Sequence, residues 1–182
     1  KELIPLTKKN INTLISLLSD IQLDYRINNS TGFYDIYLNN TNLESKLKSL
    51  EVSNHVSSIA EIPQIRKHVV KIQKSFQHKG GLVMDGRDIG SVVFPNADLK
   101  LFLTASDDVR AKRRYDELIN EGYEINYEDI FNNIISRDKK DSKRKDSPLI
   151  IPKNAVVIDN SKMNIIDQLN FIIKLIKTKF NF

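Results

Sequence analysis

The apolar run Leu82-Val-Met84 stops at Asp85-Gly-Arg-Asp88, and a second apolar run, Asp98 to Leu103, follows closely. An apolar run that ends at a glycine-bearing charged turn is how a parallel strand looks where it reaches the carboxyl edge of a sheet. Open α/β sheets bind ligands at that edge. The stretch therefore predicts a buried strand at Leu82–Met84, a charged turn, and a further buried strand over Asp98–Leu103. Arg87 would carry a permanently charged fork into the crevice, matched in geometry to a phosphate. Asp85 and Asp88 flank it and can accept hydrogen bonds from a base or sugar, or sit near a metal.

Around this stretch the chain reads as a core with two insertions. Ile11, Leu14, Ile15, Leu17 and Leu18 recur at helical spacing, predicting a short amphipathic helix over Asn10–Asp20. Residues 21–27 and 33–38 alternate with period 2 about the turn-rich Asn28-Asn-Ser-Thr-Gly32, a β-hairpin pattern. Helical spacing returns over residues 54–77 and breaks at Pro63, which suits the first turn of a new helix. Ser106 followed by Asp107 and Asp108 predicts a capped helix to about Asn120, ended by Gly122. Another helix begins at Tyr127. Residues 155–158 read as the last strand, and 165–180 as an amphipathic helix packing back on the sheet.

A chain of 182 residues, 40% hydrophobic and 28% charged, is long enough for one domain with a real core. No apolar stretch approaches a membrane-spanning length. The absence of cysteine excludes disulfides and thiolate metal sites and fits a cytoplasmic protein. The net charge of +5 is concentrated between Arg137 and Lys145, where Lys139, Lys140, Lys143 and Arg144 also fall. Such a run attracts phosphate, or is a solvated helix end or a nucleic-acid patch. Aromatic residues do not interleave it, so base stacking on single strands is poorly supported. His55, His68 and His78 show no metal spacing and take no role.

The order of these blocks, from Asp85-Gly-Arg-Asp88 through Ala111-Lys-Arg-Arg-Tyr115, Ser136-Arg-Asp-Lys-Lys-Asp-Ser-Lys-Arg144 and Ser147-Pro-Leu149 to Ala155-Val-Val-Ile-Asp159, closely resembles bacterial cytidylate kinase. The resemblance implies an α/β fold, a P-loop nucleoside monophosphate kinase-like parallel sheet. With it come a small hairpin-containing monophosphate-binding insert (about 20–78), a core (79–115 and 150–182) and a helical lid (about 116–149), in one partial kinase domain. It implies transfer of a phosphoryl group from ATP, with Mg²⁺, to CMP or dCMP in a protein that is a monomer when complete, with no membrane or nucleic-acid partner. Ser57, Arg66 and Asp88 would read the cytosine edge and Arg87 the acceptor phosphate, with Asp85 beside it. Arg137, Asp141 and Arg144 would hold ribose and phosphates, with Arg87, Arg137 and Arg144 carrying the catalytic charge. Arg113 would contact ATP.

Two features temper the resemblance. The lid is lysine-rich, and a lysine presents a point charge where arginine grips two oxygens. Such kinases also open with a glycine-rich phosphate-binding loop, and the six glycines here form no Gly-x-x-x-x-Gly-Lys. The expectation is a fragment whose first strand is absent, leaving a gap between Leu82–Met84 and the next strand. The rivals are a non-catalytic nucleotide- or nucleic-acid-binding remnant, or a kinase for UMP or AMP. Each candidate also has a plain structural reading. Ser57 and Arg66 could be surface positions, Asp85 and Asp88 turn caps, and Asp141, Arg113 and Arg114 members of exposed ion pairs.

Overall fold

The computed structural model describes residues 7–47, 49–79 and 81–181. They form two compact units, Lys1–Ile72 and Gln73–Phe182, and the division falls within a helix.

In the first unit, α1 (Lys8–Ser16) starts at Thr7, whose hydroxyl accepts a hydrogen bond from the Asn10 amide at 3.2 Å. The helix expected to reach Asp20 instead ends early, and Leu18–Asp20 form a separate 3₁₀ turn that buries Leu18. The hairpin is present. β1 (Leu23–Ile27) pairs antiparallel with β2 (Tyr34–Leu38), Leu23 facing Leu38 and Ile27 facing Tyr34. A third strand, β3 (Thr41–Asn42), follows an Asn39-Asn40 turn in which both residues have positive φ, 46° and 67°. Asparagine tolerates that conformation, which suits a two-residue hairpin turn. Three helices complete the unit: α2 (Glu44–Leu47), α3 (Leu50–Ala60) and α4 (Pro63–Ser75), with Pro63 at the first turn as expected.

The second unit holds a two-stranded parallel sheet. β4 (Leu101–Thr104) pairs with β5 (Val156–Asp159), Leu101 beside Val156 and Thr104 beside Asp159. Between the strands run α5 (Asp107–Asn120) and α6 (Tyr127–Lys143), and α7 (Ile165–Phe180) follows β5. Ser106 caps α5 as its sequence predicts, accepting from the Val109 amide at 3.4 Å. Gly122, at φ +86°, lets the chain leave α5. Ala111, Leu118 and Ile130 are fully buried where α5 and α6 pack, and Tyr127 meets Tyr115 edge-on at 5.9 Å.

Two expectations need correction. Leu82–Met84 is not a strand: Val83 is fully exposed and Leu82 is 41% exposed. A strand exists only through ladder hydrogen bonds to a neighbour, and among the described residues β4 pairs with β5 alone. The two segments therefore do not pair directly. α7 is also not buried against the sheet: Ile165, Ile166 and Leu169 are 87%, 68% and 54% exposed. Two strands of four residues offer little apolar face to a 16-residue helix. Among the described residues no helix is long and apolar enough to cross a membrane.

The turn after residue 85 depends on Gly86. Its φ is +153°, and a Cβ there would come within 2.8 Å of the Ile89 Cγ1 atom. Gly86→Ala should therefore destabilise the fold by about 1–3 kcal/mol, seen as a lower urea midpoint with unchanged slope.

Candidate active site

The site grows from the carboxyl end of β4. The Ala105 carbonyl, just past the strand, accepts from Arg110 Nε at 3.1 Å, which orients that guanidinium from the first turns of α5. Arg110 pairs with Asp107 on its own helix and, through Nη1, with Asp138 Oδ2 on α6. The other oxygen of Asp138 accepts from Arg87 Nη1 at 2.5 Å. One carboxylate thus joins the loop that carries Arg87 to two helices.

A second carboxylate sits beside it. Asp141, 2% exposed, lies 3.1 Å from Arg87 Nη1 and 3.1 Å from Arg144 Nη1, whose side chain is 4% exposed. Arg137 Nε is 3.9 Å from Asp141; it is buried and donates no hydrogen bond to any described residue. Helical spacing explains the gathering. Ile130, Ile134, Arg137 and Asp141 fall on one stripe of α6, while Lys139, Lys140 and Lys143 are exposed. The lysines that made the segment look like a solvated basic run lie on the solvent side, and arginines with aspartates form the inner side. The segment after α6 folds back over it: Arg144 Nε donates to the Ser147 carbonyl, and the Leu149 amide donates to the Asp141 carbonyl at 2.8 Å.

Charge shapes the protonation of these groups. Burial alone would raise the Asp138 carboxyl, but hydrogen bonds from Arg87 and Arg110 outweigh it and hold the group below its usual value of 3.8. Arg137 is pushed down, first by burial and then by the nearby Arg87 charge. A cation that is desolvated and weakly paired is an attractive neighbour for an anion.

The remaining candidates take separate places. Asp88 is buried, and its carbonyl accepts from the Val92 and Val93 amides at 2.9 and 3.3 Å. These bonds belong to a π turn over Ile89–Val93, a feature frequent at functional sites and unread in the sequence. Asp85 is exposed on the loop. Arg113 donates to the Asn160 side chain and carbonyl, each at 2.8 Å, and to the Met163 carbonyl at 3.1 Å. It braces the loop after β5, so an ATP contact there requires releasing those bonds; Arg114 pairs with Glu117. In the first unit, Ser57 on α3 is 4% exposed, not a surface residue, and its hydroxyl makes no hydrogen bond to any described residue. Arg66 on α4 donates through Nε to the Ala60 carbonyl at 3.0 Å. The sequence reading missed Arg110 and Asp138. Their signal was present, since Asp138 and Asp141 break the basic run three residues apart and Arg110 follows Asp107 by three.

Parallel strands, flanking helices and arginines gathered at a strand's carboxyl end define an α/β protein built to hold an anionic ligand. A family model described as cytidylate kinase matches residues 4–178. A cytidylate kinase of Flavobacterium johnsoniae is 45% identical over 92% of this chain and 73% of its own length. One of Phocaeicola vulgatus is 43% identical over 96% of this chain and 77% of its own length. The chain belongs to the cytidylate kinase family.

Asp141 and Asp138 should have measurable effects on stability. Asp141→Asn leaves buried guanidinium charge uncompensated and should cost about 3–5 kcal/mol, whereas Asp116→Asn, which removes an exposed pair with Lys112, should cost under about 1 kcal/mol. Thermal unfolding of both variants separates the two. Because the Asp138 carboxyl is held down in the folded state, its contribution is present above pH 3.8 and is lost as pH falls below it. Asp138→Asn should therefore flatten the acid limb of a stability–pH profile, and leave the neutral-to-basic slope unchanged.

Proposed function

We propose that this chain acts in phosphoryl transfer from ATP to CMP or dCMP, giving CDP or dCDP. The observation that carries the reading is the cytidylate kinase match over residues 4–178, a span that contains every residue of the arginine cluster. Phosphoryl transfer asks a protein for placed positive charge and for donor and acceptor held in line, more than for covalent chemistry. Arg87 fits the acceptor phosphate: Asp138 and Asp141 both hold its Nη1, and Nη2 and Nε are the donors proposed to meet the phosphate. Arg137 and Arg144 fit the charge that develops on the transferring group, and Asp141 fits a ribose hydroxyl while balancing both.

Asp88 is proposed to accept from the exocyclic amine of cytosine, a donor that uracil lacks. Leaving that buried carboxylate facing a uracil carbonyl would cost roughly 1–3 kcal/mol. Ser57 and Arg66 are proposed to contact the base, and Asp85 to serve the same loop. Magnesium is proposed to arrive with the ATP phosphates. Among the described residues no group of three or more His, Cys, Asp or Glu side chains could hold a metal ion, and Asp138 and Asp141 are taken up by arginines.

Calorimetry tests the reading. CMP should bind about tenfold or more tightly than UMP, and equal affinities would reject the base assignment in favour of a kinase for another monophosphate. Arg87→Ala should weaken CMP strongly and free cytidine hardly at all; equal losses for the two ligands would make Arg87 structural.

A further inference from the structure

We propose that Asp138 is a positioning residue for phosphate recognition: its carboxylate clamps Arg87 and Arg110 together and so presents Arg87 to the acceptor phosphate. The inference rests on the reading of Arg87 as the phosphate contact. Asp138 is half-buried on α6 and gives one oxygen to each arginine, Oδ1 to Arg87 at 2.5 Å and Oδ2 to Arg110. Arg87 hangs from a loop whose preceding residues, 82–83, are exposed and outside any strand, so its backbone is anchored on one side only, by the π turn that follows Asp88. The clamp supplies what that loop lacks. Arg110 is itself fixed at two further points, Asp107 and the Ala105 carbonyl. Through Asp138 the guanidinium of Arg87 is therefore referenced to the end of β4.

The choice of nitrogen is the second part of the inference. Both carboxylates, Asp138 and Asp141, contact the same Arg87 atom, Nη1. A guanidinium carries five N–H donors in a flat fork, and bidentate binding of a phosphate uses one whole edge. Holding Nη1 leaves the edge formed by Nη2 and Nε for two phosphate oxygens. The cluster is also poised in charge. Arg87, Arg110, Arg137 and Arg144 face Asp107, Asp138 and Asp141, leaving a net single positive charge for the incoming anion.

The test is a double-mutant cycle on the full chain, read by calorimetry with CMP and cytidine as paired probes. Asp138→Asn should weaken CMP about tenfold, a ratio equal to about 1.4 kcal/mol, and leave cytidine unchanged. In the Arg87→Ala background the same substitution should have no further effect on CMP, because a role confined to overall structure would lower both ligands in both backgrounds. Undiminished CMP binding by Asp138→Asn, or an equal loss with Arg87 already removed, overturns the proposal while leaving the reading of Arg87 intact. If Arg87→Ala itself spares CMP, the functional reading fails and this inference fails with it. Should Asp138→Asn not fold, Arg110→Gln cuts the same clamp from its half-exposed side. It should weaken CMP severalfold without touching cytidine, and unchanged CMP binding there overturns the proposal equally.

Discussion

Buried guanidinium groups cannot stand without carboxylates beside them, and that requirement organises the second unit. Desolvating a cation costs several kcal/mol unless an anion and good hydrogen bonds compensate. Asp141, almost wholly buried, supplies that compensation to Arg144 and Arg87 and lies within reach of Arg137. The geometry follows from the need. α6 must run unbroken to Lys143 to bring Arg137, Asp138 and Asp141 to one side, and residues 144–149 must fold back to close the end of the pair. Compensation is incomplete at Arg137, whose Nε meets no hydrogen-bond acceptor among the described residues. The cluster thus combines charges that are closely paired with one, Arg137, that is held at a longer 3.9 Å from its carboxylate.

Anchoring differs between the two sides of this cluster. α5 and α6 are joined by a conventional apolar seam of Ala111, Leu118 and Ile130, which sets the helices rigidly. The loop carrying Arg87 has no comparable seam upstream, where Leu82 and Val83 face solvent. Its position comes from polar contacts reaching across from the helices. A site assembled this way is sensitive to single carboxylates in a manner that an apolar core, which spreads its contacts over many atoms, is not.

Local chemistry was legible in the chain wherever it was local. Ser106 before two aspartates gave the start of α5, Pro63 the start of α4, and period-2 alternation the β1–β2 hairpin, because caps, fixed φ and alternation are short-range properties. Arg87, Arg137, Asp141 and Arg144 were read from their order in the sequence, and the structure brings those four together. What escaped was whatever depends on a partner far along the chain. Leu82–Met84 reads as a buried strand since its residues are apolar, yet burial is conferred by neighbours that residues 82–84 do not have among those described. α7 fails for the same reason: its apolar spacing is real, but the facing surface is narrow. Asp138 was hidden in a run of positive charge because sequence lists neighbours along the chain and not around the helix.

The π turn after Asp88 has a bearing on how this family can vary. Its carbonyl holds two successive amides, and Gly90 packs so closely that a Cβ there would lie 3.1 Å from Pro152 and 3.2 Å from Lys100. Most surface connections absorb an added or deleted residue by bulging outward. Here an extra or a missing residue would break the bonds from the Val92 and Val93 amides to the Asp88 carbonyl and disturb the close packing at Gly90. The segment from Asp88 to Phe94 is therefore a spacer whose length is fixed by its own hydrogen bonds, and it should accept a change of side chain more readily than a change in the number of its residues.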